Sequence, residues 1–175
     1  MPTTQGKGTG RLPCYRAGQA PLIDGNLNDA CWTTAATAAD FLDLNGSGWT
    51  AAARQTKVQA VYDDRQLYLA AICYEPDMAN LVAQATERDG AIYKDDCLEI
   101  FFDPPAGSRL NELNLKNQQP LNREPGTIEP CRYFQYVFNA LGAYYDGTGD
   151  GDRAWNSKIR VAAKRRNDCW TLEAA

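Results

Sequence analysis

The sequence predicts an all-β protein, an antiparallel β-sandwich of jelly-roll or immunoglobulin-like type, with short helical turns and one long loop excursion. Three observations carry this. Short segments alternate apolar and polar residues with the period of two that a half-buried strand requires. Clusters of Gly, Asn, Asp and Pro separate these segments at short intervals. Helical three-four spacing is weak wherever it occurs.

Residues 1–11 are Gly/Thr-rich and polar and read as a flexible arm, leaving 12–175 as a single domain. Residues 11–23 hold a short extended piece ending in "PLIDG". "LNDACW" (27–32) reads as a turn or short helix, with Asn26 or Asn28 as N-cap. "FLDL" (41–44) suits an edge strand, and "NGSG" (45–48) a turn. "KVQAVYD" (57–63) alternates through Val58, Ala60 and Tyr62, then "DDR" turns. "QLYLAAICY" (66–74) is apolar on both faces, as a central strand would be. Residues 76–86 carry faint helical spacing through Met78, Leu81, Val82 and Ala85.

"AIYKDDCLEIFFDP" (91–104) is a strand with Leu98, Ile100 and Phe102 on one face and Cys97, Glu99 and Phe101 on the other. A buried, unpaired carboxylate is costly, so Glu99 either has partners or faces a wet surface. Residues 104–131, studded with Pro, read as a surface excursion of the kind that is usually functional or disordered. "RYFQYVFNA" (132–140) is a strand. "LGAYYDGTGDGDRAW" reads as a turn-rich bend. "SKIRVAAKR" (157–165) and "DCWTLEAA" (168–175) alternate again. The last strand meets neither turn nor polar tail, so the native chain is expected to continue past Ala175, attached to a larger polypeptide.

Composition narrows the function. The chain has no histidine, which removes Ser-His-Asp, Cys-His and HExxH chemistry and His-ligated haem. The net charge is −4 with no long basic run, which argues against nucleic acid. No apolar run reaches the length of a membrane span, and no signal peptide is visible. The six cysteines show no CxxC spacing. Cys73 and Cys97 read as small core residues, while Cys14, Cys31, Cys131 and Cys169 lie near element ends and suit disulfides only in an exported protein.

Glu99, with Gln135 and Asn139 from the next long strand, lines one sheet face; the bland reading is partly exposed polar positions. Tyr93 and Trp49 stand in or near loops as stacking candidates, whereas Trp32 and Trp170 read as core plugs. Asp95 lies beside Glu99, on its side of the strand; a glycosidase pair needs two carboxyls across a cleft, and the simpler role for Asp95 or Asp96 is to cap the entering backbone. Asp146, Asp150 and Asp152 in "DGTGDGD" offer oxygen ligands at spaced positions of a Gly-rich loop, a pattern suited to calcium. The EF-hand template fails for want of its final Glu, and an acidic solvated turn is the alternative.

Several blocks together resemble the family 9 carbohydrate-binding modules and their DOMON-like relatives. "IDGNLNDACW" resembles their opening, "VQAVYDDRQLYLAAICYEPD" their central hairpin, "YKDDCLEIFFDP" their Glu-bearing strand, "YFQYVFNALGAYYD" the strand and turn after it, and "CWTLEAA" their last strand. The resemblance implies a two-sheet sandwich and non-catalytic binding of mono- or oligosaccharides outside the cytoplasm, in the extracellular space or periplasm. No cofactor is required, and structural calcium is frequent. Rings stack on sugar C–H faces while carboxylates and amides hold the hydroxyls. Tyr93 stands where the family places one clamp Trp, and Glu99 where it places a sugar-bonding carboxylate. Val137 stands where some members carry an Arg, and the second clamp ring is expected past residue 175. The expected sugar-contact set is Tyr93, Asp95, Glu99, Gln135 and Asn139. Two other expectations compete: an interaction or structural sandwich that has lost the sugar site, and, more remotely, a haem or redox module, for which only Met1 and Met78 remain as ligands.

Overall fold

The structure, a computed structural model, describes residues 11–43, 50–103, 133–149 and 155–175. It is almost wholly β, and the chain divides into two compact units: residues 1–81 with 160–175, and residues 82–159 between them. Expectations for Trp49, the 104–131 excursion, Cys131, Asp150 and Asp152 fall outside the described residues.

The first unit is built on a six-stranded sheet. Its members are β1 (Tyr15–Arg16), β2 (Thr37–Ala38), β5 (Thr56–Tyr62), β6 (Leu67–Tyr74), β10 (Val161–Arg165) and β11 (Cys169–Ala174). The order is β1-β5-β6-β11-β10, with β2 also on β5. All pairings are antiparallel except β1 with β5, which runs parallel. The edge strand expected near 41–44 is β3 (Leu42–Asp43), paired with β4 (Thr50–Ala51). The β5–β6 turn is organised by Asp63, whose carboxylate accepts from the Arg65 and Gln66 amides at 2.7 and 3.0 Å and from the Tyr68 hydroxyl at 2.6 Å.

β11 is central, hydrogen-bonded to β6 and β10, and every residue from Cys169 to Ala174 is buried. The buried set includes Glu173, which is fully inaccessible. A carboxylate there survives only if hydrogen-bonded. Its Oε1 accepts from Trp32 Nε1 at 2.8 Å, and its Oε2 from the Asp24 and Gly25 amides at 3.0 and 2.8 Å. Burial pushes its pKa up, and these three donors only partly oppose that. Gly25 has φ 79, and a β-carbon there would stand 3.2 Å from the Ala163 backbone, so the turn requires glycine. The opening motif "IDGNLNDACW" is thus read by one acidic side chain of the last strand. Trp32 is a core plug as expected, packed with Ala17, Cys31, Val61, Tyr68 and Ala70.

α1 spans Ala30–Thr34. Its N-cap is Asp29 rather than Asn26 or Asn28, and it makes no side-chain cap bond because Asp29 Oδ2 accepts from the Leu22 amide instead, at 3.3 Å. Asn26 is engaged by Asp24, on which its amide N–H and side chain both donate. No helix among the described residues is long and apolar enough to cross a membrane. Cys14, Cys31 and Cys169 are thiols, not disulfide halves.

The second unit holds a three-stranded antiparallel sheet, β7 (Cys97–Phe102), β8 (Phe134–Asn139) and β9 (Tyr144–Thr148), in that order. β9 occupies what the sequence presents as a bend, because Tyr144, Asp146 and Thr148 pair with Phe138, Tyr136 and Phe134 of β8. Faint helical spacing at 76–86 does not yield a helix: residues 76–79 turn, and 81–86 form no regular element. Their amides are claimed by side chains, with Asp96 accepting from Val82 at 2.8 Å and Asp95 from Gln84 and Ala85 at 3.0 Å each. One sheet face is aromatic: Tyr136 meets Phe102, Phe138 and Trp155 with centroids 5.9–6.2 Å apart.

Candidate functional site

β7 alternates in burial as it does in sequence. Leu98, Ile100 and Phe102 are half-buried, and Cys97, Glu99 and Phe101 are exposed. Cys97 is therefore not a core residue; period two sends it out with Glu99. The register sets Glu99 opposite Val137 and Phe101 opposite Gln135, so these side chains share one face, on which Glu99 and Phe101 are exposed and Val137 is buried. Glu99 Oε1 accepts a hydrogen bond from Gln135 Nε2. The strand's carboxylate is thus exposed and already held by an amide. One bond leaves most of its lone pairs free for other donors.

Tyr93 enters from a 3-10 turn, Ile92–Lys94, that feeds β7. Ile92 is fully buried against Val137 and Ala143, with Ala85 and Tyr145 packed on the cluster. With Ile92 pinned inward, Tyr93 projects out and is 68% exposed. Lys94 Nζ lies 5.9 Å from its ring centroid, a cation–π contact that steadies the phenol without covering it.

Two expected contact residues take a different role. Asn139 is fully buried, and all its side-chain capacity is used within the protein. Its Nδ2 donates to the Ala85 carbonyl and to Asp95 Oδ2, both at 2.8 Å, and its Oδ1 accepts from the Leu141 and Ala143 amides, both at 3.0 Å. Asp95 accepts from Asn139 and from the Gln84 and Ala85 amides. Burial alone would raise the Asp95 pKa, but the Asn139 amide and the two backbone N–H groups outweigh it, and the net shift is downward. The pair is a clasp that fixes residues 84–95, and with them the turn bearing Tyr93. The reason is topological: β8 ends at Asn139, where the chain turns through Gly142, and the covering segment packs over it.

Asp146 also points inward. It is fully buried, with Oδ1 accepting from Arg88 Nε at 2.7 Å and Oδ2 from the Ser157 amide at 2.6 Å. A guanidinium on one oxygen and an N–H on the other do not fit a calcium ligand. Arg88 further donates to the Trp155 carbonyl at 2.7 Å and pairs with Asp89 at 2.8 Å. This arginine, not singled out by sequence reasoning, ties the covering segment to β9.

A second omission is aromatic. Phe101, 52% exposed, meets Tyr133 edge to face, with centroids 5.3 Å apart. Both lie on the Glu99–Gln135 face, and the signal was the alternation 97-99-101 read against 133-135-137. The structure thus brings Glu99, Gln135, Phe101 and Tyr133 together. Tyr93 stands outward at the turn entering β7, while Asp95 and Asn139 lie beneath as support.

Two solved structures share this fold, both from Caldicellulosiruptor kristjanssonii and both described as a carbohydrate binding module family 9. One, in complex with glucose, is 20% identical with a TM-score of 0.54 and is matched over 91% of this chain and 65% of its own. The other, in complex with cellotriose, is 19% identical with a TM-score of 0.52 and is matched over 92% and 65%. The chain therefore spans just under two thirds of their length, and at this identity the likeness shows the β-sandwich fold alone. No curated protein sequence matches. The family described as carbohydrate family 9 binding domain-like matches residues 23–124, a span that takes in the Glu173-bound opening turn, the β5–β6 hairpin and the Glu99 strand. The chain belongs to that family.

Proposed function

We propose that this chain is a non-catalytic carbohydrate-binding module, with Tyr93 as a stacking ring and Glu99 and Gln135 as hydrogen-bonding groups for sugar hydroxyls. The observation that carries the reading is the outward Tyr93 ring, 68% exposed at the turn that feeds the Glu99 strand, with the Glu99–Gln135 pair on the face of that strand. A carboxylate held by one amide presents its remaining acceptor sites at a fixed angle, which suits the paired hydroxyls of a pyranose. Sugar–ring contact at an outward phenol adds the apolar half of the recognition. Family membership supports the same class of ligand, and the solved relatives named above hold glucose and cellotriose. Asp95 and Asn139 position the turn rather than touch the ligand. In this reading the module acts outside the cytoplasm as part of a larger polypeptide.

The competing reading, an interaction sandwich without a sugar site, expects Tyr93 to be packed and Glu99 to be bonded within the protein. The bond from Gln135 suits both readings, whereas the 68% exposure of Tyr93 favours binding. Isothermal titration with glucose and cellotriose, with and without calcium, separates them. Tyr93→Ala is expected to weaken binding by about 0.5–1.5 kcal/mol, the worth of one aromatic contact. Glu99→Gln is expected to cost about 1.5–3 kcal/mol through loss of a charge-assisted bond. Unchanged affinity in both variants, or no saccharide binding by the wild type, refutes the proposal.

A further inference from the structure

The outer face of the second sheet continues beyond Glu99 and Gln135, and it continues as rings. Phe101 sits two residues along β7 from Glu99, about 7 Å at the rise of an extended strand. It lies directly across from Gln135, and Tyr133 lies two residues before Gln135 on the same face. The Phe101 ring is 52% accessible on this face. It is also not free to rotate at will. The Tyr133 ring meets it edge to face at 77°, which braces the pair as a fixed platform. On the far side of Gln135 the register places Gly147, where the Tyr145 phenol lies in the space a β-carbon would take. Gln135 is thereby framed by a ring on each flanking strand, with an acid–amide couple between.

Resting on the saccharide-binding reading, we propose that Phe101 and Tyr133 form a second stacking platform, so that the face takes two or more consecutive sugar units along β7. One unit is engaged at Tyr93 and Glu99, and the next lies over Phe101 with Gln135 between them. The ligand class is a linear oligosaccharide, whose pyranose units offer C–H faces to the rings and hydroxyl edges to the carboxylate and amide. A branched or strongly bent chain cannot lie along a straight strand.

The test is titration of wild type, Phe101→Ala, Phe101→Tyr and Tyr133→Ala with glucose, cellobiose and cellotriose, with circular dichroism to confirm the fold of each variant. Wild type is expected to bind cellobiose and cellotriose about two- to tenfold tighter than glucose, the gain of one ring contact. Phe101→Ala should abolish that gain, lowering cellobiose and cellotriose affinity by a larger factor than glucose affinity, and Phe101→Tyr, which keeps a ring, should retain it. Tyr133→Ala, which removes the brace but not the platform, should reduce the gain in part. Equal affinity of wild type for glucose and cellotriose overturns the second platform but leaves a one-sugar site standing. A Phe101→Ala effect of the same factor on all three ligands also overturns it. Absence of any saccharide binding by wild type overturns both readings together.

Discussion

Replacing Asn139 by Ala isolates the clasp under Tyr93. The side chain makes four hydrogen bonds and is fully buried. Truncation leaves the Ala143 N–H and the Ala85 carbonyl without the partner they had, and each unsatisfied buried group costs about 1–3 kcal/mol. Asp95 keeps its two backbone donors, and Leu141 is exposed, so those two partners add little. The expected loss is about 3 kcal/mol, a large share of a domain's stability. Urea unfolding followed by tryptophan fluorescence and circular dichroism measures it. A pH series adds an independent readout. Asp95 is lowered in the folded state, so its contribution is present above the ordinary Asp value near 3.9 and is lost as pH falls through its folded pKa. Without the Asn139 donor that pKa moves back up, and the acid loss of stability becomes shallower. Under the proposed function, saccharide affinity is expected to fall too, because the turn bearing Tyr93 loosens. A loss below about 1 kcal/mol with an unchanged acid limb would show that the clasp does not hold the segment, and the reasoning fails.

Three further outcomes follow from the buried charges. Glu173→Leu orphans the Trp32 indole N–H and the Gly25 amide and is expected to lower stability by about 2–5 kcal/mol, part of the cost being offset by removal of a desolvated charge; a melt unchanged within a degree or two contradicts this. Because the Glu173 pKa is raised, its favourable contribution is full below the ordinary Glu value near 4.3 and is lost as pH rises through the folded value, so Glu173→Gln should flatten that decline in a pH series of melts. Arg88→Met strands Asp146 with one N–H donor and is expected to cost about 3 kcal/mol, whereas Arg88→Met with Asp146→Leu should recover part of it; equal loss in the single and double variants would show that the charge pair is not the cause.

Strands were legible in the sequence wherever alternation was strict, as in β5, β7 and β8, because period two is set by the pleat alone. β9 was hidden because its five residues include Gly147 and precede an acidic Gly-rich stretch of sequence, so turn signals outweighed a pairing that only the β8 register supplies. The helical spacing at 76–86 misled for the converse reason: the carboxylates of Asp95 and Asp96 capture the segment's amides, and no sequence window contains both partners. In the site, Glu99 and Gln135 could be placed on one face by counting in twos. Asn139 obeys the same count, yet the segment ending at Ile92 covers it, and covering is decided by tertiary packing. Phe101 and Tyr133 satisfied the count as well; the family comparison drew attention to Tyr93 instead.

The acidic residue of β11 that receives Trp32 and the Gly25 turn has a consequence for order of assembly. Its donors lie 141 to 149 positions earlier in the chain. Nothing made before residue 169 can satisfy them, and β11 is also the strand that joins β6 to β10. A nascent chain therefore emerges from the ribosome with its first motif unanchored and its main sheet in two parts, and both are completed by the same six residues. Such long-range closure is slow to nucleate, so the opening segment is the last to settle and the first to be exposed to proteases when the final strand is trimmed.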